Sequence, residues 1–174
     1  WHWLAEQGDA EQAARHALAA GYAQDAFALI ADSLYDSCMK AGHYGTVAEW
    51  LARMPETEIF LNTPLRLTAG WQAALNGDWQ RAAHFVGSLV EPPDSDAGLY
   101  GEALAILAVA NSRAERLDVA ERYSSAYPKN AADSLASRSI THIRAFSALF
   151  SGASEEARRL LANIPSDNRF FAQE

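Results

Sequence analysis

Three charged side chains early in the chain are spaced so that they would share one face of a helix. Asp32, Asp36 and Lys40 follow one another at intervals of four residues. Residues four apart on an α-helix are neighbours, so these three would form a polar strip suited to binding an inducer or a peptide. The simpler alternative is a solvated helix face on which an aspartate and the lysine form an i, i+4 pair.

Trp71 is the aromatic side chain whose predicted position suits ligand binding. An indole ring can stack on a sugar ring or on an aromatic ligand. It can equally pack between neighbouring helical units, and the sequence leaves both interpretations open. Trp50 and Trp79 are expected to be core residues or surface plugs.

The sequence contains none of the common motifs of enzymatic chemistry. The five histidines have no metal-ligand spacing, and no His-Glu-x-x-His occurs. There is no Gly-x-Ser-x-Gly elbow and no phosphate loop of the G-x-x-x-x-G-K-[ST] type. Cys38 falls on the apolar face of a predicted helix, where a thiol packs as a small hydrophobe. We therefore expect a non-enzyme with no catalytic residue, no metal site and no cofactor.

Composition restricts the class of protein and of partner. The 174 residues are 49% hydrophobic and 21% charged, which is ordinary for a globular domain. The formal net charge of −8, with scattered Lys and Arg, argues against direct contact with nucleic acid. No apolar run approaches the ~20 residues that span a bilayer, so no membrane partner is expected. A single cysteine fits a reducing compartment, and we predict a cytoplasmic location.

Three features recur together along the chain: a tight turn, a small apolar residue suited to burial, and a glycine or proline that ends a helix. The turns are Gly8-Asp9, Gly42-His43, Gly77-Asp78 and Gly152-Ala153, with a fifth expected near Glu115-Arg116, where glycine is missing. Five residues beyond each turn's first residue lie Ala13, Val47, Ala82, Ala120 and Ala157, which are 34, 35, 38 and 37 residues apart. The predicted stops are Gly21, Pro55, Pro92, Pro128 and Pro165. A helix–turn–helix period of about 34 residues is typical of tetratricopeptide repeats.

The repeat predicts an all-α fold, specifically an α-solenoid (a superhelix) of about five tetratricopeptide-like repeats in a single domain over 1–174. The predicted repeats cover 1–21, 22–55, 56–93, 94–128 and 129–165, followed by a tail at 166–174. Predicted helices cover about 10–20, 24–40, 46–54, 99–112, 117–126, 133–151 and 154–163. A short helical turn is expected within 55–63, and Thr63 is expected to cap a helix whose first residue is Pro64.

Solenoids bind along the concave face formed by the first helix of each repeat. Counting from the turns, the positions expected to face inward are Asp32, Asp36, Lys40, Trp71, Arg113 and His142. These six are the candidate effector-binding or partner-binding residues. In the tail, Phe170 and Phe171 are expected to dock against a following repeat of a longer chain.

Two segments resemble one family of transcription factors. WLAEQGDAEQAARHALAAGYAQDAFALI and AGHYGTVAEWLARMPETEIFLNTPLRLTAGWQAALNGDWQRA resemble the region after the ATPase part of the large LuxR-type activators, the MalT-like family. The resemblance covers roughly residues 1–90, beyond which the repeat period alone continues. It implies a helical sensor array that couples an effector to flanking ATPase and DNA-binding domains. Because this chain has neither a phosphate loop nor a basic recognition helix, ATP and DNA binding do not carry over.

The expected partners are a small-molecule inducer or a protein or peptide, together with self-association. The chain starts Trp1-His2-Trp3, without an initiator methionine or a signal peptide, so we expect a piece of a longer protein. The alternative to a sensor array is a general tetratricopeptide scaffold for protein–protein interaction in a pathway unrelated to transcription.

Overall fold

The structure is a computed structural model that describes residues 1–90, 97–128, 134–162 and 164, except for the side chains of Asp32, Ser37 and Cys38. The described residues are all-α and contain no strand. The chain divides into two compact units, residues 1–69 and 70–174, and the division falls inside one helix. The prediction of a single domain stays a prediction, and each unit is described by itself.

The first unit consists of short helices joined by tight turns. They are α1 (His2–Glu6), α2 (Ala10–Ala19), α3 (Ala23–Ser33), a π-helical segment (Leu34–Met39), α4 (Tyr44–Arg53) and α5 (Glu56–Leu61). Helix α6 (Thr63–Leu75) crosses into the second unit. The predicted helix at 24–40 is therefore correct in extent, but its last part is π-helical rather than α-helical. The short helix expected within 55–63 is confirmed as α5.

The second unit also consists of helices joined by turns. Its elements are α7 (Trp79–Val86), a 3-10 turn (Gly87–Leu89), α8 (Ala97–Arg113), α9 (Leu117–Ala126), α10 (Leu135–Phe150) and α11 (Ser154–Ala162). Helix α10 begins after a capping box in which Ser134 and Ser137 bond each other's backbone N–H. Pro92 and Pro165, predicted to end repeats, lie outside the described residues, as do Phe170 and Phe171. No helix among the described residues is long and apolar enough to cross a membrane.

The recurring turns share a left-handed backbone conformation, and four of them share one hydrogen-bonding pattern. Gly8, Gly42, Gly77 and Gly152 all have positive φ, and Glu115 adopts φ 59° at the turn that lacks glycine. At Gly8, Gly77, Glu115 and Gly152 the N–H of the following residue donates to a carbonyl five residues back, as in Asp78 to Ala73 and Arg116 to Asn111. This is the Schellman cap, which satisfies the carbonyls that a helix end leaves unpaired. The fifth turn, predicted without a glycine, is therefore confirmed.

The residue that lies five positions after the first residue of each turn is buried at all five places. The relative exposures are 0–1% at Ala13, Val47, Ala82, Ala120 and Ala157. Small side chains at these positions let neighbouring helices approach closely, as the sequence pattern predicted.

Side chains one repeat apart are in contact within the first unit. Arg15 of α2 donates to both carboxylate oxygens of Glu49 of α4, at 3.0 and 3.2 Å. The same guanidinium bonds Glu11 and lies over the ring of Trp50, which is 2% exposed. The second helix of one helix pair therefore meets the second helix of the next pair.

The second unit is built around α8. Ten of its residues, from Gly101 to Asn111, are buried, and the helix packs against α7, α9 and α10. A helix that is apolar all round needs neighbours on every side. Close approach is clearest at Gly70, where a Cβ would lie 2.7 Å from Val86 Cγ1 and 3.3 Å from Ile106 Cγ2. Glycine is therefore required where α6, α7 and α8 converge.

One predicted helix cap is wrong. Thr63 was expected to cap α6, but Asn62 holds that position, and its side chain accepts the N–H of Leu65 at 3.0 Å. Asparagine is at least as good a cap as threonine, and its reach to the third helical residue is the usual geometry. Thr63 is thereby moved to the first helical position.

Candidate functional site

The structure brings together two of the three residues predicted to form a charged strip. Lys40 and Asp36 form an exposed ion pair, and the Lys40 ammonium lies 4.8 Å from the centre of the Tyr35 ring. The side chain of Asp32 lies outside the described part of the chain. Because the π-helical segment begins at Leu34, the spacing of one continuous α-helix does not extend to Lys40. The arrangement fits the simpler alternative of a solvated face held by an ion pair.

Trp71 is buried, which corrects the expectation of a ring open to a binding groove. Its side chain is 1% exposed, and its Nε1 donates to Glu102 Oε1 of α8 at 2.6 Å. A ring with so little exposure cannot stack on a ligand without repacking the helices. The indole instead links α6 to α8 by this hydrogen bond, which is the packing role that the sequence left open.

Arg113 and His142 lie on different helices of the second unit. Arg113 is exposed at the end of α8, where its carbonyl oxygen would lie 3.5 Å from a Cβ placed on Gly77. His142 is half-buried on α10, and burial lowers the pKa of its imidazole because the charged form is poorly solvated there. A groove formed by other residues of the second unit includes neither of them.

That groove lies between α9 and α10. It has a volume of about 350 Å³, at the lower end of the range for ligand sites, which is about 300–1,000 Å³. We call it the α9–α10 groove. It is lined by Ser112, Leu117, Asp118, Ala120, Glu121, Ile143, Phe146, Ser147, Phe150 and Ser151.

The groove exists because the core-facing side chains of α10 become small toward its C-terminal end. Ile140 and Ile143 are buried against the rest of the unit. Four and eight residues after Ile143, on the same helix face, stand Ser147 and Ser151. These serines fill less space than the isoleucines and leave a depression. Phe146 and Phe150 flank it, with ring centres 4.7 Å apart in an edge-to-face arrangement.

Contacts between the helices hold the two walls of the groove in place. Arg144 of α10 donates to the carbonyl oxygens of Ser124 and Tyr127 at the end of α9. A cation at a helix C-terminus satisfies unpaired carbonyls and complements the helix dipole. Ala120 of α9, which also lines the groove, is 1% exposed.

The groove combines apolar and acidic groups. Phe146 is 47% exposed and Phe150 68%, so two large aromatic side chains face solvent. On α9, Asp118 and Glu121 stand three residues apart beside the exposed Leu117. Such a surface can bury an apolar group and attract a positive one, and no covalent chemistry is implied.

Several other pKa shifts follow from packing in the first unit. The hydrogen bond from Arg15 lowers the pKa of the Glu49 carboxyl below its usual range, and the same pairing raises the pKa of the guanidinium. Burial raises the pKa of the Tyr44 hydroxyl to about 12. Within the described ranges, no three His, Cys, Asp or Glu side chains are grouped so as to hold a metal ion.

Comparison with known proteins gave no relatives for this chain. No family model matches it, and neither a curated protein nor a solved structure does.

The sequence reasoning missed the α9–α10 groove. The sequence pattern placed binding on the first helices of the predicted repeats, whereas one wall of the groove is α9, a second helix. A signal was nevertheless present in α10. Phe146, Leu149 and Phe150 continue the helical spacing of Ile143 and widen its apolar face, so α10 carries more apolar surface than one core contact needs.

Proposed function

We propose that this chain is the effector-sensing or partner-sensing helical-repeat domain of a large LuxR-type transcriptional regulator in the cytoplasm. In this proposal the helix pairs continue as a tetratricopeptide-like superhelix, and flanking ATPase and DNA-binding domains lie elsewhere in the protein. The domain itself performs no catalysis and holds no cofactor.

The contact between Arg15 and Glu49 is the observation that carries the repeat-domain part of this proposal. Residues 34 apart meet on equivalent helices, as stacked repeats require. In the second unit Arg116, before α9, lies 3.8 Å from the ring of Trp79, at the start of α7, and α8 packs against α10. Stacked repeats are scaffolds for binding, which supports a sensing role. The assignment to a regulator rests on the sequence resemblance over roughly residues 1–90.

The mechanism that fits such an array is differential binding. A ligand that binds one packing of the repeats better than another shifts the array toward that packing. Coupling to the flanking domains is then reciprocal, so the effector and the nucleotide change each other's affinity by the same factor.

A thermal-shift screen of the chain tests the sensing role. Sugars, aromatic compounds and short peptides are the three compound classes, and one of them is expected to raise the unfolding midpoint. A ligand that binds the folded state alone adds about 2.7 kcal/mol of stability at 100 times its dissociation constant. In the intact protein, the same ligand is expected to change the oligomeric state or the nucleotide affinity. Unchanged values of both would refute the coupling.

A second candidate function is a tetratricopeptide scaffold from a pathway unrelated to transcription. The exposed apolar face of α10 favours it, because a protein partner is the usual cover for such a face. The full gene distinguishes the two candidates. A regulator requires a phosphate loop upstream and a helix-turn-helix domain downstream, and the absence of both would leave the scaffold.

A further inference from the structure

Exposed apolar side chains are concentrated on the C-terminal half of α10. Phe146, Leu149 and Phe150 have relative exposures of 47%, 51% and 68%. They lie at positions i, i+3 and i+4, which are neighbours on a helix surface. Scattered exposed apolar residues are common, but a contiguous set of large ones marks a binding surface.

The α9–α10 groove provides a space beside this apolar surface. The depression at Ser147 and Ser151, described above, lies beside the two phenylalanines and faces α9. A single large apolar side chain of a partner would fill much of its volume of about 350 Å³. The apolar surface extends beyond the groove to Leu149, so a chain segment would cover it better than one small molecule.

The charges beside the groove indicate which segment would bind. Asp118 and Glu121 are both exposed and both line the groove. The whole chain carries a formal net charge of −8, which would repel an acidic partner. Lysine or arginine next to the apolar side chain of a partner would pair with these carboxylates, and its cation could also lie over an exposed phenylalanine ring.

We propose that the α9–α10 groove binds a basic amphipathic peptide segment of a partner protein, with a large apolar side chain between Phe146 and α9 and with lysine or arginine beside Asp118 and Glu121. This inference rests on the proposed binding role of the domain and names the partner class. It does not depend on which domains flank the chain.

Fluorescence anisotropy with a defined probe tests the proposal. The probe is a fluorescein-labelled helical peptide of about 14 residues, roughly four turns, with leucine and phenylalanine on one face and lysine on the other. A peptide with glutamate in place of every lysine and a peptide of scrambled order are the matched controls. The lysine peptide is expected to bind with a dissociation constant on the order of 10 μM, and both controls at least about tenfold more weakly.

Variants of the chain locate the binding site. Phe150→Ala and Phe146→Ala are each expected to weaken binding by about tenfold, as truncation of an aromatic anchor does. The double variant Asp118→Asn/Glu121→Gln is expected to weaken it and to reduce its dependence on salt. Leu61→Ala and Glu6→Gln remove an exposed leucine and an exposed carboxylate in the first unit, and they should change affinity by less than about twofold.

Several outcomes would overturn the proposal. Equal binding of the lysine peptide to wild type, Phe150→Ala and Phe146→Ala would show that the groove is not its site. If Phe150→Ala converts a dimer into a monomer in sedimentation, a second copy of the chain occupies the groove. If Phe170→Ser/Phe171→Ser creates binding that wild type lacks, the chain's own tail occupies it. A sugar or aromatic hit in the thermal-shift screen without peptide binding would refute this inference and leave the sensing role intact.

Discussion

Arg15 and Glu49 form a two-pronged hydrogen bond between helices α2 and α4, 34 residues apart along the chain. Arg53 of α4 also pairs with Glu49, and Glu11 of α2 also pairs with Arg15. Four charged groups with alternating sign therefore join α2 to α4, the second helices of two successive helix pairs. A bidentate arginine–carboxylate contact adds orientation to attraction, so this network favours one register of stacking.

The Arg15–Glu49 contact predicts a specific pH dependence of stability. Because Arg15 lowers the pKa of Glu49 in the folded state, the ionised carboxylate stabilises the fold above the ordinary glutamate pKa. That stabilisation is lost as the pH falls through the lowered folded pKa. The difference in unfolding free energy between wild type and Arg15→Gln should therefore be largest near neutral pH and shrink in acid. Denaturation at a series of pH values measures it.

An NMR titration checks the cause of that dependence. The Glu49 midpoint should lie below the usual glutamate range in wild type and move up toward it in Arg15→Gln. A midpoint that stays low in the variant would assign the shift to another group. High salt should weaken the effect, because the pair is partly exposed.

Gly70→Ala is expected to destabilise the protein by about 1–3 kcal/mol, because the new methyl group would overlap the buried Val86. Gly45→Ala is the matched control, since Gly45 also lies within a helix but nothing stands within 4 Å of a Cβ there. It should stabilise by about 0.5–1 kcal/mol. Urea denaturation measures both variants. Adding Val86→Ala to Gly70→Ala should cost less than the sum of the single changes, and simple additivity would exclude the clash.

Glu115→Gly is expected to stabilise the protein by up to about 1 kcal/mol. Glu115 has φ 59° at the cap of α8, and this conformation costs a residue with a Cβ about 1 kcal/mol or more. Replacing it by glycine removes that strain, but the greater freedom of glycine in the unfolded chain offsets part of the gain. Gly8→Ala, at the equivalent turn after α1, should act in the opposite direction, since Gly8 has φ 82°. Thermal unfolding compares them. A loss of stability in Glu115→Gly would show that the glutamate side chain contributes more than the strain costs.

Asn62→Ala should destabilise the protein by about 1 kcal/mol, because it removes the side-chain acceptor for the N–H of Leu65 at the start of α6. Thr63→Ala is the control that separates this structure from the sequence-based prediction. It should have a smaller effect, since Thr63 is the first residue of the helix rather than its cap. If chemical denaturation showed that Thr63→Ala destabilises the protein more than Asn62→Ala does, Thr63 would be the cap.

Much of the local structure could be predicted from the sequence. The turns at Gly8, Gly77 and Glu115 and the buried Ala82 and Ala120 follow from patterns a few residues long, which depend on backbone conformation and helical periodicity. The π-helical segment at Leu34–Met39 was missed, because an inserted residue in a helix has no short sequence pattern of its own.

The candidate site was predicted much less well. Asp36 and Lys40 were predicted to share one helix face, and in the structure they form an exposed ion pair. Trp71 was placed on a groove and is buried instead. Helical spacing states which residues share a face but leaves open which other helix covers that face.

The sequence by itself determined the helical class, the turns and the small buried residues, because these depend on interactions between residues close together along the chain. Tertiary structure decided that Trp71 would be buried and would donate a hydrogen bond to Glu102 of α8. It also decided that Phe146 and Phe150 would remain exposed beside a groove. Those outcomes depend on how residues from separate helices share space and pair their polar groups. A side chain becomes core or surface when a second helix either fills the volume next to it or leaves that volume to solvent.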